Sequence, residues 1–217
     1  MKGYSVPDII WPSSNKYGIP DLLPTGQAFE IAFPFEKWGD QARTKSAGTY
    51  HFYTDDYKFE NVWRDPAQPL RAGVKALVEC NFSSGDESPF AVWLWDLYRK
   101  RWLSRFWQGC GVKIWVDLNV PDRFLDTALL GVPKGWRAYC SRGKDSDYQH
   151  LFIEYELATR HSKGAPIFLV YGGGSLTENI CLDQGWLFQP ENMHIQDGRR
   201  RLALQLRILD AYYQREA

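Results

Sequence analysis

Short runs of β-prone residues alternate with longer stretches of helical periodicity along most of the chain. Six such runs end in polar residues: Tyr50–Thr54, Ala76–Cys80, Lys113–Leu118, Arg137–Ser141, Pro166–Tyr171 and Trp186–Gln189. Between them, apolar residues recur every three to four positions over residues 90–108, 147–162 and 175–183, and again over 198–214. This spacing is typical of one apolar helix face. The alternation predicts an α/β fold with a mostly parallel sheet.

The number of β/α units decides between the architectures that such a sheet can take. About six units are too few for a closed barrel of eight strands. We therefore predict a partial or open (βα) barrel, with a doubly wound open sheet as the alternative. In both architectures ligands bind where the strands end, so the residues just after each run are the candidates for chemistry.

The first 48 residues differ from the rest in their high content of proline. Pro7, Pro12, Pro20, Pro24 and Pro34 prevent long helices there. The same segment carries many large apolar residues that need burial, so we expect residues 1–48 to form an extended N-terminal arm packed on the body. Residues 49–217 are predicted to be a single α/β domain with a C-terminal helix.

The composition is that of a globular protein, with 217 residues, 44% hydrophobic and 24% charged. Twenty-six basic side chains balance 26 acidic ones. The chain therefore has no global positive field of the kind that non-specific nucleic-acid binders carry, and any such binding would be local. The unusual value is the aromatic content of 16%.

The four cysteines and the first residues of the sequence favour a cytoplasmic location. The cysteines form no C-x-x-C pair of the kind that binds zinc. Residues 1–8 contain no apolar segment that resembles a secretion signal, and no apolar stretch is long enough to span a membrane.

Acidic residues follow three of the predicted strands. Asp55 and Asp56 come directly after the first run, Glu79 lies at the end of the second, and Asp117 lies in the third. If they converge at one edge of the sheet, they form a candidate catalytic set, and Asp55, Glu79 and Asp117 a candidate Mg²⁺ site. The alternative is structural: the acids cap helices or pair with arginines.

A glycine-rich turn follows the fifth run. Gly172, Gly173, Gly174 and Ser175 lead directly into a predicted helix, and backbone N–H groups in such a turn can bind a phosphate. No lysine follows the glycines, which excludes a nucleotide P-loop. A tight turn between strand and helix is the simpler explanation.

The helix over residues 90–108 combines basic and aromatic residues. Such a mixture is typical of surfaces that bind single-stranded nucleic acids. The candidate residues for contacts with DNA or RNA are Arg99, Lys100, Arg101, Trp102 and Arg105. A helix packed in the core with one solvated basic side is the alternative.

Several blocks of sequence, in this order, resemble the DUF4417 family, over about residues 15–192. They are Tyr17-Gly18-Ile19-Pro20, Trp38-Gly39, residues 51–63 with the Asp-Asp-Tyr-Lys-Phe-Glu motif, Asn81-Phe82-Ser83, residues 98–102, Gln108 and Tyr171-Gly172. The resemblance implies a bacterial, phage or mobile-element context and implies no mechanism. The family pattern has an aspartate where this chain has Asn81, with Glu79 as a substitute, and the Asp117-Leu118-Asn119 segment also departs from it.

Three functions fit these observations. The first is a replication-associated protein that binds or processes nucleic acid at the acidic site and the basic helix. The second is a non-catalytic binding or structural module in which the acids cap and pair. The third is a small-molecule enzyme that holds a phosphorylated ligand at Gly172–Gly174.

Overall fold

A sheet of seven parallel strands forms the centre of the computed structural model, which describes residues 7–39 and 48–191. The strands pair strictly in chain order. Their bounds are β1 Phe35–Lys37, β2 Thr49–His51, β3 Ala76–Val78, β4 Lys113–Asp117, β5 Ala138–Arg142, β6 Ile167–Tyr171 and β7 Leu187–Gln189. The six predicted runs correspond to β2–β7. A doubly wound sheet reverses its strand order at a switch point, so the sequential order excludes that alternative.

Six described α-helices lie between the strands, and the three longest correspond to the helical periodicity over residues 90–108, 147–162 and 175–183. They are α1 Glu60–Arg64, α2 Gln68–Arg71, α3 Phe90–Gly109, α4 Leu125–Ala128, α5 Tyr148–His161 and α6 Ser175–Gln184. The helix predicted over residues 198–214 lies outside the described residues. No described helix is both long and apolar enough to cross a membrane.

The sheet curls into an open half barrel, as one contact between distant strands shows. The rings of His51 on β2 and Tyr171 on β6 are 3.9 Å apart between centroids. Neighbouring strands are separated by about 4.8 Å, so four strand spacings would place these rings about 19 Å apart in a flat sheet. The prediction of a partial, open barrel is confirmed.

The first strand lies inside the segment predicted to be an arm. Phe35, Glu36 and Lys37 pair in parallel with Thr49, Tyr50 and His51. Pro34 directly precedes these three residues and two of them are charged, so they form no β-prone run that the sequence pattern would reveal. The sheet therefore begins before residue 48, and the arm proper precedes it.

Aromatic side chains fill both faces of the curled sheet. On the inner face, the rings of Phe35, His51, Tyr53 and Tyr171 pack together. On the outer face, Phe52 stacks on Trp107 of α3, with ring centroids 5.8 Å apart. The high aromatic content is thus used for packing on both sides of the sheet.

The N-terminal arm packs along α3. The indole of Trp102 donates to the carbonyl of Ile9 (2.9 Å). The amide of Gln108 accepts from the N–H of Leu23 (2.8 Å) and donates to the carbonyl of the same residue (3.1 Å). As a result, no residue of α3 from Trp93 to Gln108 is exposed.

We expect Gln108→Ala to loosen the arm, because both hydrogen bonds to Leu23 depend on the same amide. Two buried hydrogen bonds of this kind contribute about 1–3 kcal/mol to the free energy of unfolding. Urea unfolding measures this loss, and limited proteolysis should cut residues 7–34 faster in the variant. The control is Gln149→Ala at an exposed position of α5. Equal stability and equal cleavage of the two variants would show that Gln108 does not hold the arm on α3.

Candidate functional site at the mouth of the half barrel

The two adjacent acids after β2 act separately. The carboxylate of Asp55 is largely exposed and lies 3.4 Å from the ammonium of Lys58. Asp56 accepts hydrogen bonds from the backbone N–H (3.1 Å) and the hydroxyl (2.8 Å) of Ser83. Asp56 therefore ties the loop after β2 to the loop after β3.

Glu79 is fully buried and forms an ion pair with Arg101 of α3. Its Oε2 also accepts from the backbone N–H of Asp117 (3.1 Å). The guanidinium of Arg101 donates in addition to the carbonyl groups of Ala128 (2.6 Å) and Leu130 (3.0 Å). This arrangement satisfies the buried guanidinium and balances the charge of Glu79.

Asp117 connects three elements at the end of β4. Its carboxylate accepts from the ammonium of Lys100 (2.7 Å), the hydroxyl of Tyr53 (2.9 Å) and the N–H of Asn119 (3.1 Å). Burial raises the pKa of Tyr53 well above its ordinary value, and the nearby charge of Asp117 raises it further. Tyr53 therefore stays protonated and donates its hydrogen bond.

The predicted metal ligands are not assembled into one site. Glu79 and Asp117 do come together, but each carboxylate already has a cationic partner from α3. Within residues 7–39 and 48–191, no three acidic, histidine or cysteine side chains are arranged to hold a metal ion. Asp55, Glu79 and Asp117 thus do not form the ligand set that Mg²⁺ would need.

The basic residues of α3 are used inside the protein, contrary to the nucleic-acid surface predicted there. Lys100, Arg101 and Trp102 are buried. Arg99 pairs with Asp96 and lies over the ring of Phe82, 3.8 Å from its centroid. Arg105 lies over the ring of Trp11 at 4.6 Å. The arm and the sheet cover the helix, so its charges are paired or packed on rings.

The glycine-rich turn before α6 already holds an anion, the carboxylate of Asp145. Its Oδ1 accepts from the N–H groups of Gly174 (2.8 Å) and Thr177 (3.0 Å) and from the Thr177 hydroxyl (2.6 Å). These hydrogen bonds lower the pKa of Asp145, the largest cause being the Thr177 hydroxyl. The position predicted for a phosphate at Gly172, Gly173, Gly174 and Ser175 is therefore occupied by a side chain of the protein itself.

A site that the sequence did not reveal surrounds His51, where the curled sheet brings β2 against β6. The imidazole packs on the rings of Phe35 (4.9 Å) and Tyr171 (3.9 Å). Its Nδ1 accepts from the N–H of Tyr53 (3.3 Å), which places the proton of the neutral ring on Nε2. Burial lowers the pKa of His51 well below its ordinary value, and the charges of Lys37 and Arg142 lower it further.

Two cations flank this ring stack. Lys37 is the strand partner of His51, and Arg142 is the strand partner of Tyr171. Both are partly exposed, and neither forms a salt bridge with any acid among the described residues. We call this region the mouth of the half barrel and define it by Lys37, His51, Tyr53, Asp117, Arg142 and Tyr171.

A separate titratable pair lies between β5 and α5. Glu154 is buried, accepts a hydrogen bond from the hydroxyl of Ser141 (2.5 Å) and lies 3.3 Å from Nε2 of His150. Burial raises the pKa of Glu154 to about 7. The hydrogen bond to Glu154, with the charges of Glu154 and Asp122, raises the pKa of His150 to about 9. Folding therefore favours bound protons at this pair.

We predict from this pair that stability falls as the pH rises from 7 to 9. A histidine with a raised folded pKa stabilises the protein fully below its unfolded pKa of about 6.5, and this stabilisation is lost as the pH rises through the folded value of about 9. Urea unfolding at several pH values measures the decline, and His150→Gln should remove this part of it. If the stability of His150→Gln fell with pH as much as that of the wild-type protein, His150 would not be the cause of the decline.

Comparisons with known proteins agree with the resemblance noted in the sequence. The profile of DUF4417, a domain of unknown function, matches residues 11–172. The chain belongs to this family. One similar protein is the Gene 1 protein of Mycobacterium phage L5, which is 36% identical to this chain over 172 residues. The match covers 74% of this chain and 73% of the phage protein.

A second phage relative covers less of its own length. The Gene 1 protein of Mycobacterium phage D29 is 36% identical over 134 residues, or 58% of this chain and 48% of the phage protein. The matched part thus spans about half of that relative. No solved structure matches the DUF4417 chain. The similarity connects the protein to phages.

The sequence blocks that carry the family resemblance meet in and beside the mouth. Asp56 of the second-strand block binds Ser83 of the Asn-Phe-Ser block. Lys100, from the block on α3, binds Asp117, which also accepts from Tyr53. The Tyr171-Gly172 block supplies the ring that packs on His51. Blocks distant in sequence therefore build one region of the DUF4417 fold.

Proposed function

We propose that this phage-related DUF4417 protein binds an anionic small molecule at the mouth of its half barrel. One observation carries the proposal: Lys37 and Arg142 flank the stack of His51 on Tyr171 without an acidic partner among the described residues. The mouth lies where parallel strands end, which is where ligands bind in α/β barrels.

The charges around the mouth favour an anion. Asp117 is the acid among the residues that define the mouth, and Lys100 neutralises it. Lys37 and Arg142 pair with no acid among the described residues, and after burial their charges are the further causes that lower the pKa of His51. The same two charges that would repel an imidazolium would attract a ligand anion between them.

The polar groups of the mouth are mainly hydrogen-bond donors. The guanidinium of Arg142 and the ammonium of Lys37 can only donate. The neutral imidazole of His51 carries its proton on Nε2, and the hydroxyl of Tyr53 already donates to Asp117. Donors of this kind suit a ligand rich in acceptor oxygens, and a phosphate ester has the strongest of them.

The number of free cations favours a small ligand over a nucleic acid. Proteins that bind DNA through its backbone make about 6–10 phosphate contacts. The mouth offers two cations, and the basic residues of α3 are buried or partnered. A phosphorylated small molecule therefore fits the described residues better than a nucleic-acid strand.

Isothermal titration calorimetry with inorganic phosphate, ribose 5-phosphate and AMP tests the proposal. We expect at least one of them to bind, and Lys37→Ala and Arg142→Ala each to weaken binding by about tenfold or more, because each removes a charged hydrogen bond of about 1.5–3 kcal/mol. The matched controls are Lys163→Ala and Arg160→Ala, at exposed positions after and near the end of α5.

Two results would overturn the proposal. One is that none of the three phosphates binds to the wild-type protein. The other is that the mouth variants bind as tightly as their controls. A single-stranded oligonucleotide could instead bind more tightly than all three phosphates and lose this binding in the mouth variants. The ligand of the mouth would then be a nucleic acid and not a small molecule.

A further inference from the structure

A cavity lies on the side of the fold away from the mouth, between the N-terminal arm and the loop that precedes β5. Its volume is about 570 Å³, within the range of small-molecule sites. The N–H of Leu22 on the arm donates to the carbonyl of Gly131 on the loop (2.7 Å), which joins the two walls. Because strands begin at this edge of the sheet, the cavity shares no lining residue with the mouth.

Charges of both signs line this cavity without pairing among the described residues. Asp21 accepts a hydrogen bond from the hydroxyl of Ser14 (3.0 Å) and forms no salt bridge there. Asp126, at the start of α4, also has no cationic partner among the described residues. Lys134 faces the same space and pairs with no acid. The cavity thus offers two carboxylates and one ammonium for a ligand.

A buried histidine holds the lysine in place. His161 is 7% exposed, and its Nε2 lies 3.1 Å from the carbonyls of both Val132 and Pro133. Since carbonyls accept, Nε2 donates, and the free Nδ1 accepts from the ammonium of Lys134 (3.3 Å). Burial, followed by the charge of Lys134, lowers the pKa of His161. Lys134 is therefore positioned by a neutral imidazole and not by a carboxylate.

The rest of the lining is largely apolar and includes Leu22, Leu129, Leu130 and Val132. We infer that this cavity binds a zwitterionic small molecule of dipeptide size with apolar side chains. Its ammonium lies at Asp21 and Asp126, its carboxylate at Lys134, and its apolar body against the leucines. Burial of the ligand's apolar groups adds to the charge contacts at its two ends.

Blocked peptides test each end of the ligand separately. The probes are the dipeptide Leu-Leu, its N-acetyl derivative, which lacks the ammonium, and its C-terminal amide, which lacks the carboxylate. We expect calorimetry at pH 7 to detect binding of Leu-Leu and at least tenfold weaker binding of both blocked forms. Lys134→Met should weaken Leu-Leu by a similar factor and leave the amide unaffected, whereas Asp126→Asn should weaken Leu-Leu and the amide alike.

The control variant is Lys75→Met, at an exposed lysine before β3. It should bind Leu-Leu as the wild-type protein does, and the thermal midpoints of all variants should match because none of the replaced groups has an ion pair. No binding of Leu-Leu at millimolar concentration would overturn the inference. Equal binding of Leu-Leu and either blocked form, or equal binding by Lys134→Met and Lys75→Met, would do so too.

Discussion

Replacing Arg101 with methionine is expected to lower the free energy of unfolding by about 3–5 kcal/mol, the usual cost of leaving a buried charge without its partner. Arg101 and Glu79 are both fully buried. The replacement removes the ion pair and the hydrogen bonds to the carbonyls of Ala128 and Leu130. Glu79 would keep one donor, the N–H of Asp117.

Urea unfolding of Arg101→Met beside Arg160→Met, a control at an exposed arginine, measures this effect. The double variant Glu79→Met with Arg101→Met should recover much of the loss, because buried apolar side chains often replace an ion pair at little cost. A loss for Arg101→Met no larger than for the control would contradict the pairing. So would a double variant no more stable than Arg101→Met.

The second large effect is expected for Asp117→Ala, again about 3–5 kcal/mol. The replacement leaves the buried ammonium of Lys100 without its carboxylate and the hydroxyl of Tyr53 without its acceptor. Lys100→Met should restore part of the stability in combination with it, because it removes the uncompensated charge.

Thermal and urea unfolding of Asp117→Ala, Lys100→Met and the double variant measure the coupling between the two side chains. Asp183→Ala, at an exposed position of α6, is the control for loss of a carboxylate. Additive losses in the double variant would show that the two groups do not interact and would contradict the pair.

The overall fold follows from the sequence because six of its strands coincide with β-prone runs and its three longest described helices span enough residues to show their period. Only β1 escapes. The equally short β2, β3 and β7 overlap β-prone runs of four or five residues, whereas β1 follows Pro34 directly and ends in two charged residues. The curl of the sheet is a tertiary property, and the number of β/α units was its sole sequence signal.

The roles of the acids and bases could not be predicted, because each depends on a partner from another element. Glu79 and Arg101 are 22 residues apart, and Lys100 and Asp117 are 17 apart. A charged helix normally exposes its charges, but the arm and the sheet bury α3 from both sides. The same holds for Lys37 and Arg142, since only the curl of the sheet places β1 and β5 around one ring stack.

The most direct test of the anion site is the pKa of His51 measured by NMR of the imidazole nitrogens, with and without saturating inorganic phosphate. An anion between Lys37 and Arg142 would offset the two charges that lower this pKa. We therefore expect phosphate to raise the pKa of His51 in the wild-type protein and to leave it unchanged in the Lys37→Ala, Arg142→Ala double variant. An unchanged pKa in the wild-type protein, or an equal rise in both proteins, would contradict it.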